Sequence, residues 1–484
     1  MKKKITSLLL VAIFVLSTFA IAHAASPNQD SLYDSLTLEE MAAIDAGTTL
    51  EELEEMGLTL EELLAMDAEN DAILGENFSA NRRAALHVFD ILDEAFISAR
   101  DGRMIYPDFF GGAAIDHDGN IVIFIVESML NEAYSHDVIG VLLDDGVRYR
   151  VVDFSYGDLL SSTDVISATI TERYTNERCI YSYNVSLIGP SALTNRIDIH
   201  LVIYDEDMIA GFRRYIYDSP ALVFRQGNRI SIVNYQGGAT FCYIDNDMDW
   251  AYTSGDCNYL YFNHYHEKIV PFNALHRVGT LVRRRVITGG PFARATIGFA
   301  VDCTRTGTRG FLTTAGDTFS RGHDVLTYTP FNIGGSHIGD VTASRIRDTP
   351  NGGINASFAT LRGSYSVANI LPHGATFSTV VVAPRQGDTA HAFGGASNRQ
   401  LTGVITHTNA VVNHGSNISL TRMTIVQGGT AMSETGNSGG PVYSIAGNPM
   451  GIISGGDSSL FAVTPLYRIF NEFRQSYNLE LRIR

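Results

Sequence analysis

Apolar residues recur at two different periods along this chain, and the change of period divides it. Over 82–100, Ala85, Val88, Phe89, Leu92 and Phe96 share one side of a helix. Residues 113–126 read as two strands joined at Asp118-Gly119, a dipeptide suited to a tight hairpin turn. A strand over 197–202, a helix over 205–216 and a strand over 222–224 follow. Strand, helix, strand with short links predicts a compact sheet covered by helices, so 81–285 is expected to be an α/β domain. From residue 286 onward the helical period fades. Short β-rich runs at 310–314, 358–361, 379–382, 451–453 and 461–463 alternate with Gly, Asn and Asp turns, and a helix over 466–474 closes the chain. Many short strands with turn signals predict an all-β barrel or sandwich.

The amino terminus has a different pattern. Lys2, Lys3 and Lys4 precede an apolar run over 8–22 and the small-x-small triplet Ala22-His23-Ala24. This is the pattern of a secretory signal removed after Ala24. The run is shorter than the ~20 residues a membrane span needs, and no later stretch is long enough. The mature chain is therefore expected to be secreted, soluble and without a membrane span. Residues 25–80 repeat a phrase at Thr37-Leu-Glu-Glu, Thr49-Leu-Glu-Glu and Thr59-Leu-Glu-Glu. In each, Thr caps a helix while the Glu three residues later reaches back to the cap amide. Short acidic helices are expected, either as an extension or as a docking segment for a cationic partner.

At roughly 150 residues per domain, 484 residues suggest about three units. Hydrophobic residues at 45% and charged residues at 18% exclude wholesale disorder. Of the net charge of −17, residues 25–80 hold five Asp and ten Glu with no Lys or Arg. The rest has no basic surface, so nucleic-acid binding is not expected. Four cysteines are few for a secreted protein. Cys242 and Cys257 bracket a turn-rich segment and are candidate disulfide partners, a closure that contributes on the order of 3 kcal/mol, although four cysteines allow three pairings and the sequence does not choose among them. Cys179 and Cys303 either pair or stay free. Asp245, Asp247 and Asp249 have the alternate spacing of a calcium loop. Trp250 stands where such a loop turns on Gly, however, and Asp256 where it uses Glu. No metal and no cofactor are expected. Arg283-Arg284-Arg285 is read as an exposed linker cluster, with a processing site as the alternative.

The sharpest chemical signal is Gly436-Asn437-Ser438-Gly439-Gly440-Pro441. Flanking glycines let a tight bend present the Ser438 hydroxyl, with the amides of Gly436 and Ser438 converging as an oxyanion hole. Downstream, Ser454-Gly455-Gly456 ends a predicted strand with which an extended peptide can pair.

In these residues 286–484 resembles the chymotrypsin-fold serine peptidases, and more narrowly the bacterial streptogrisin-like secreted ones. The family's GDSGGP appears as GNSGGP. Its mature start resembles Val286-Ile-Thr-Gly-Gly290, its FLTAGHC segment resembles Phe311-Leu-Thr-Thr-Ala-Gly-Asp-Thr318, and its DYGIVR-like segment resembles Ser357-Phe-Ala-Thr-Leu-Arg362. The three arrive in the family's order. The resemblance implies a chymotrypsin-like double β-barrel, preceded by an α/β pro-region-like domain and a short acidic helical segment. It also implies a peptide or protein as substrate or ligand.

The departures bear on activity. Asp317 stands where the family has its general-base His, Ser357 where it has the orienting Asp, and Asn437 where an Asp precedes the nucleophile. Ala295, Thr318 and Met432 stand where the streptogrisin group has cysteines. A Ser hydroxyl is a weak nucleophile until a base takes its proton. A carboxylate with an ordinary pKa of ~3.9 is a poor acceptor at neutral pH. The expectation is a secreted serine peptidase homologue with impaired or absent catalysis. The alternatives are an active endopeptidase whose base is a displaced histidine (His323, His337, His373, His391, His407 or His414) and a surface interaction protein. The segment 457–460, where the family lines its specificity pocket, is shortened.

Overall fold

In a computed structural model of the protein the described residues are 71–72, 74–97, 104–177, 179–228, 275–279, 281–284, 294–315, 319, 321–327, 337–349, 352–363, 365–372, 374–414, 418–428 and 437–484. The signal-like segment, the Thr-Leu-Glu-Glu phrases, Cys242, Cys257, Asp245 to Asp249, Arg285 and the Val286 segment lie outside them.

Helix α1 (Phe78–Phe96) buries the expected stripe of Ala85, Val88, Phe89, Leu92 and Phe96. The stripe packs on a hairpin of β1 (Phe110–Ile115) and β2 (Ile121–Val126), whose register sets Ile115 opposite Ile121. The turn forms because the Asp116 carboxylate accepts the amides of Asp118 and Asn120, while Gly119 takes φ +83°. β3 (Arg148–Val152) adds parallel to β2. Helix α2 (Tyr156–Glu177) leads to the antiparallel pair β4 (Val185–Ser191) and β5 (Arg196–Leu201). Helix α3 (Glu206–Tyr215) starts where the Asp205 carboxylate caps the Met208 amide, and β6 (Leu222–Gln226) returns parallel to β5.

The remaining strands are β7 (Leu275–Arg277), β8 (Leu281–Arg284), β9 (Arg294–Thr296), β10 (Ala300–Cys303), β11 (Arg309–Thr313), β12 (Asp324–Thr327), β13 (His337–Arg347), β14 (Ile354–Leu361), β15 (Ser366–Ala368), β16 (Thr389–Gly394), β17 (Arg399–His414), β18 (Ile418–Gln427), β19 (Pro441–Ser444), β20 (Pro449–Gly456), β21 (Leu460–Pro465) and β22 (Leu481–Ile483). Helix α4 (Leu466–Tyr477) lies between the last two. One sheet runs β22-β10-β11-β14-β13-β12-β8-β9. In the other, β16-β19-β20-β21-β18-β17 closes on itself because β16 also pairs with β17. The closed ladder encloses Ala390, Leu401, Ile405, Val426, Val442, Ile453 and Phe461.

Three expectations change. Residues 379–382 form no strand: Ser378 and Val382 each donate a single amide, to Gly447 and Pro449, too few contacts for a ladder. β7 and β8 pair with strands of the β-rich part, β8 with β9 and β12, so that part begins before residue 286. The backbone at Arg283 and Arg284 is therefore held in a ladder rather than in a free linker. Cys179 and Cys303 are both free thiols.

The α/β domain and the closed barrel share one sheet, which the sequence pattern did not predict. β17 outruns the barrel and pairs with β4, placing Val411 opposite Ile188 and Val412 opposite Leu187. The seam is reinforced by buried polar groups. Arg82 makes a two-pronged bond to Asp388 at 2.5 and 2.6 Å, and the Ile115 amide donates to Gln386 O. His407 Nε2 lies 3.1 Å from Asp198, which Arg225 also contacts at 2.9 Å. Burial alone raises the Asp198 carboxyl, yet the bonds and charges of His407 and Arg225 hold it below the usual range. His200, buried beside them, is pushed down to about 4 by desolvation and the neighbouring His407 charge. Among the described residues no helix is long and apolar enough to cross a membrane.

Candidate active site

Ser438 sits on the bend entering β19. Its carbonyl accepts the Thr296 amide at 2.9 Å. Gly439 donates to Ile453 O at 2.7 Å, and Ile453 donates back to Gly440 O at 2.9 Å, which ties the bend to β20. Gly439 has φ +88°, and a Cβ there would lie 2.6 Å from Thr296 O, Thr313 Oγ1 and Thr314 N. Only glycine fits, because the conformation is left-handed and the backbone of the first sheet presses against it. The Ser438 side chain is partly exposed, and Asn437 beside it is buried. Asn437 Oδ1 accepts the amides of Ala396 and Ser397, both at 3.1 Å, whereas its Nδ2 finds no partner among the described residues.

The bend thus meets the end of β11, where the chain runs on toward Asp317. Asp317 and Gly436 lie outside the described residues. Ser357, the expected counterpart of the orienting Asp, is fully buried. Its hydroxyl donates to Phe319 O at 2.6 Å and lies 2.9 Å from Ser344 Oγ. A different side chain bridges the two sheets here. Asn355 Oδ1 accepts from Thr314 Oγ1 and from the Ala315 amide, each at 3.0 Å. Asn355 Nδ2 donates to Ser454 O at 3.1 Å and to Ser454 Oγ at 3.0 Å. Asn355 escaped the sequence reading, although one signal was present. Residues 355 and 357 lie two apart on a strand and so share a face.

Ser454, Gly455 and Gly456 are buried at the end of β20, with Gly455 opposite Ala462 and Gly456 opposite Phe461 on β21. Among the described residues no strand pairs with their other edge. The following turn is short: the Asp457 carboxylate accepts the amides of Ser459 and Leu460, and the Asp457 amide donates to Leu460 O. Three of the candidate histidines have partners away from the bend. His391 contacts Thr402 Oγ1 at 2.8 Å, and His407 contacts Asp198. His337 Nε2 lies 3.1 Å from Asp340 and 3.5 Å from Asp324, a trio able to ligate a metal, although Arg362 already pairs with Asp340. His373 lies outside the described residues, as does the His414 side chain.

Residues 164–227 match the family described as Pro-like C-terminal domain. A search of curated proteins finds no match. Among solved structures the chain is similar to Nocardiopsis protease at 20% identity, covering 44% of this chain and 100% of that one, with a TM-score of 0.33. It is similar to Thermobifida fusca protease A at 20% identity, covering 44% and 100%, with a TM-score of 0.32. Cellulomonas bogoriensis chymotrypsin is 19% identical, with 43% and 97% covered and a TM-score of 0.32. The chain is a multidomain protein: an α/β region that carries the match to the Pro-like C-terminal domain precedes a β-rich part.

Proposed function

We propose that this protein is a secreted serine peptidase homologue that keeps the nucleophile Ser438 and a peptide-binding cleft but has lost most of its catalysis. The observation that carries the reading is the joint between the Ser438 bend and the end of β11. The chain that leaves Thr314 against Gly439 continues to Asp317, which supports the reading that a carboxylate stands in the role for which a peptidase uses imidazole. Such a group is ionised at neutral pH and a poor acceptor for the Ser438 proton. Ser438 then relies on the oxyanion hole and binding alone, worth about 10³–10⁴ over water. Among the described residues no strand pairs with the outer edge of Ser454–Gly456, which supports peptide binding, because an extended chain can add there as a strand. Asp317 takes the general-base position without its proton chemistry, and Gly436 with Ser438 forms the oxyanion hole. Hydrolysis of reporter peptides tests the reading: native protein and Ser438→Ala are expected to give the same slow background. Turnover that vanishes in Ser438→Ala favours an active endopeptidase instead.

A further inference from the structure

We infer that Asn355, and not Ser357, is the positioning residue of this site, and that its seat is matched to an amide. The inference rests on the proposed role of position 317. Asn355 is fully buried and reaches both halves of the site. On one side it holds Thr314 and Ala315, the last described residues before Asp317. On the other it holds Ser454, next to the Ile453 that anchors the Ser438 bend. Asn355 thus ties the strand end that leads to position 317 to the strand that anchors the Ser438 bend. Ser357 is bonded to Phe319 and Ser344 instead.

The partners fix the chemistry of the seat. The Ala315 amide requires an acceptor, and the Ser454 carbonyl requires a donor. An amide offers one of each, whereas a carboxylate offers only acceptors and would set an oxygen against Ser454 O. An amide holds the joint together but carries no charge to support an imidazolium. In a working triad the exchange of carboxylate for amide at this role costs about 10⁴ in turnover. Reversal therefore needs changes at 317 and 355, with 357 left alone.

Two experiments test this. The first compares fluorophosphonate labelling of Ser438 in Asp317→His, Asp317→His/Asn355→Asp and Asp317→His/Ser357→Asp from pH 5 to 9. In labelling, the Ser438 oxygen bonds to phosphorus, fluoride leaves and the base takes the proton. The Asn355→Asp pair is expected to label at least about tenfold faster than the other two, rising through an imidazole inflection. Equal and measurable rates, or a faster Ser357→Asp pair, overturn the inference. Silence in all three variants counts instead against the role given to position 317. The second experiment needs no chemistry. In the Asn355→Asp variant a protonated carboxyl carries one donor and one acceptor, as the native amide does. The melting deficit of Asn355→Asp relative to native protein is therefore expected to be several degrees at pH 7 and smaller at pH 4. A deficit that does not change with pH overturns the amide-matched seat.

Discussion

Removing one member of the Arg82–Asp388 pair tests how firmly the α/β domain is joined to the barrel. The side chains are 6% and 0% exposed, and two parallel bonds join them. Asp388 Oδ1 also accepts the Thr389 amide at 2.9 Å, so the carboxylate is held from two directions and stays when Arg82 goes. Arg82→Met leaves that carboxylate buried without its cation, a loss worth about 3–5 kcal/mol. Arg82→Met/Asp388→Leu removes both charges, and an apolar pair of similar volume is often neutral or better. The double variant is thus expected to melt above the single one, with a coupling of about 2 kcal/mol or more in the double-mutant cycle. Calorimetry of the four proteins at one pH and salt gives the comparison. Additive losses, or an Arg82→Met loss below about 1 kcal/mol, would refute the reasoning that the pair is desolvated at a tight seam.

Further outcomes follow from the same seam and from the bend. The folded-state pKa of His200 is depressed to about 4, so the unfolded chain binds a proton that the folded one refuses as pH falls from about 6.5. Stability is expected to drop by about 3 kcal/mol between pH 6.5 and 4 from this residue, with a further loss below pH 4 as the depressed Asp198 protonates. Urea midpoints across this range check it; an unchanged slope in His200→Gln would count against it. At the bend, Gly439→Ala is expected to cost more than Gly307→Ala. Both have positive φ, but a Cβ at 439 meets three backbone or hydroxyl atoms at 2.6 Å, while one at 307 meets nothing within 4 Å. Equal melting losses would mean that the close approach at 439 is not real.

Much of the secondary structure was legible because single elements follow local rules. The stripe of α1, the Asp118-Gly119 turn and the Asp205 cap are each set within a few residues. The continuous sheet was not legible. The pairing of β17 with β4 joins residues more than 200 positions apart, which no local pattern records. At the site, the Ser438 bend was visible from its glycines, since a positive φ leaves a sequence signature at Gly439. The role of Asn355 was hidden for a physical reason: a shift of two residues along a strand keeps every side chain on its face, so alternation cannot choose between 355 and 357. The choice is made by where Ala315 and Ser454 present a donor and an acceptor.

The most direct test of lost catalysis is the second-order rate of fluorophosphonate labelling of Ser438 in the native protein at pH 7.5, set against Ser438→Ala. The account predicts labelling no faster than a solvent-exposed serine, with no difference between the two proteins over hours. Stoichiometric modification of Ser438 within minutes would contradict it, since that requires a working base beside the hydroxyl.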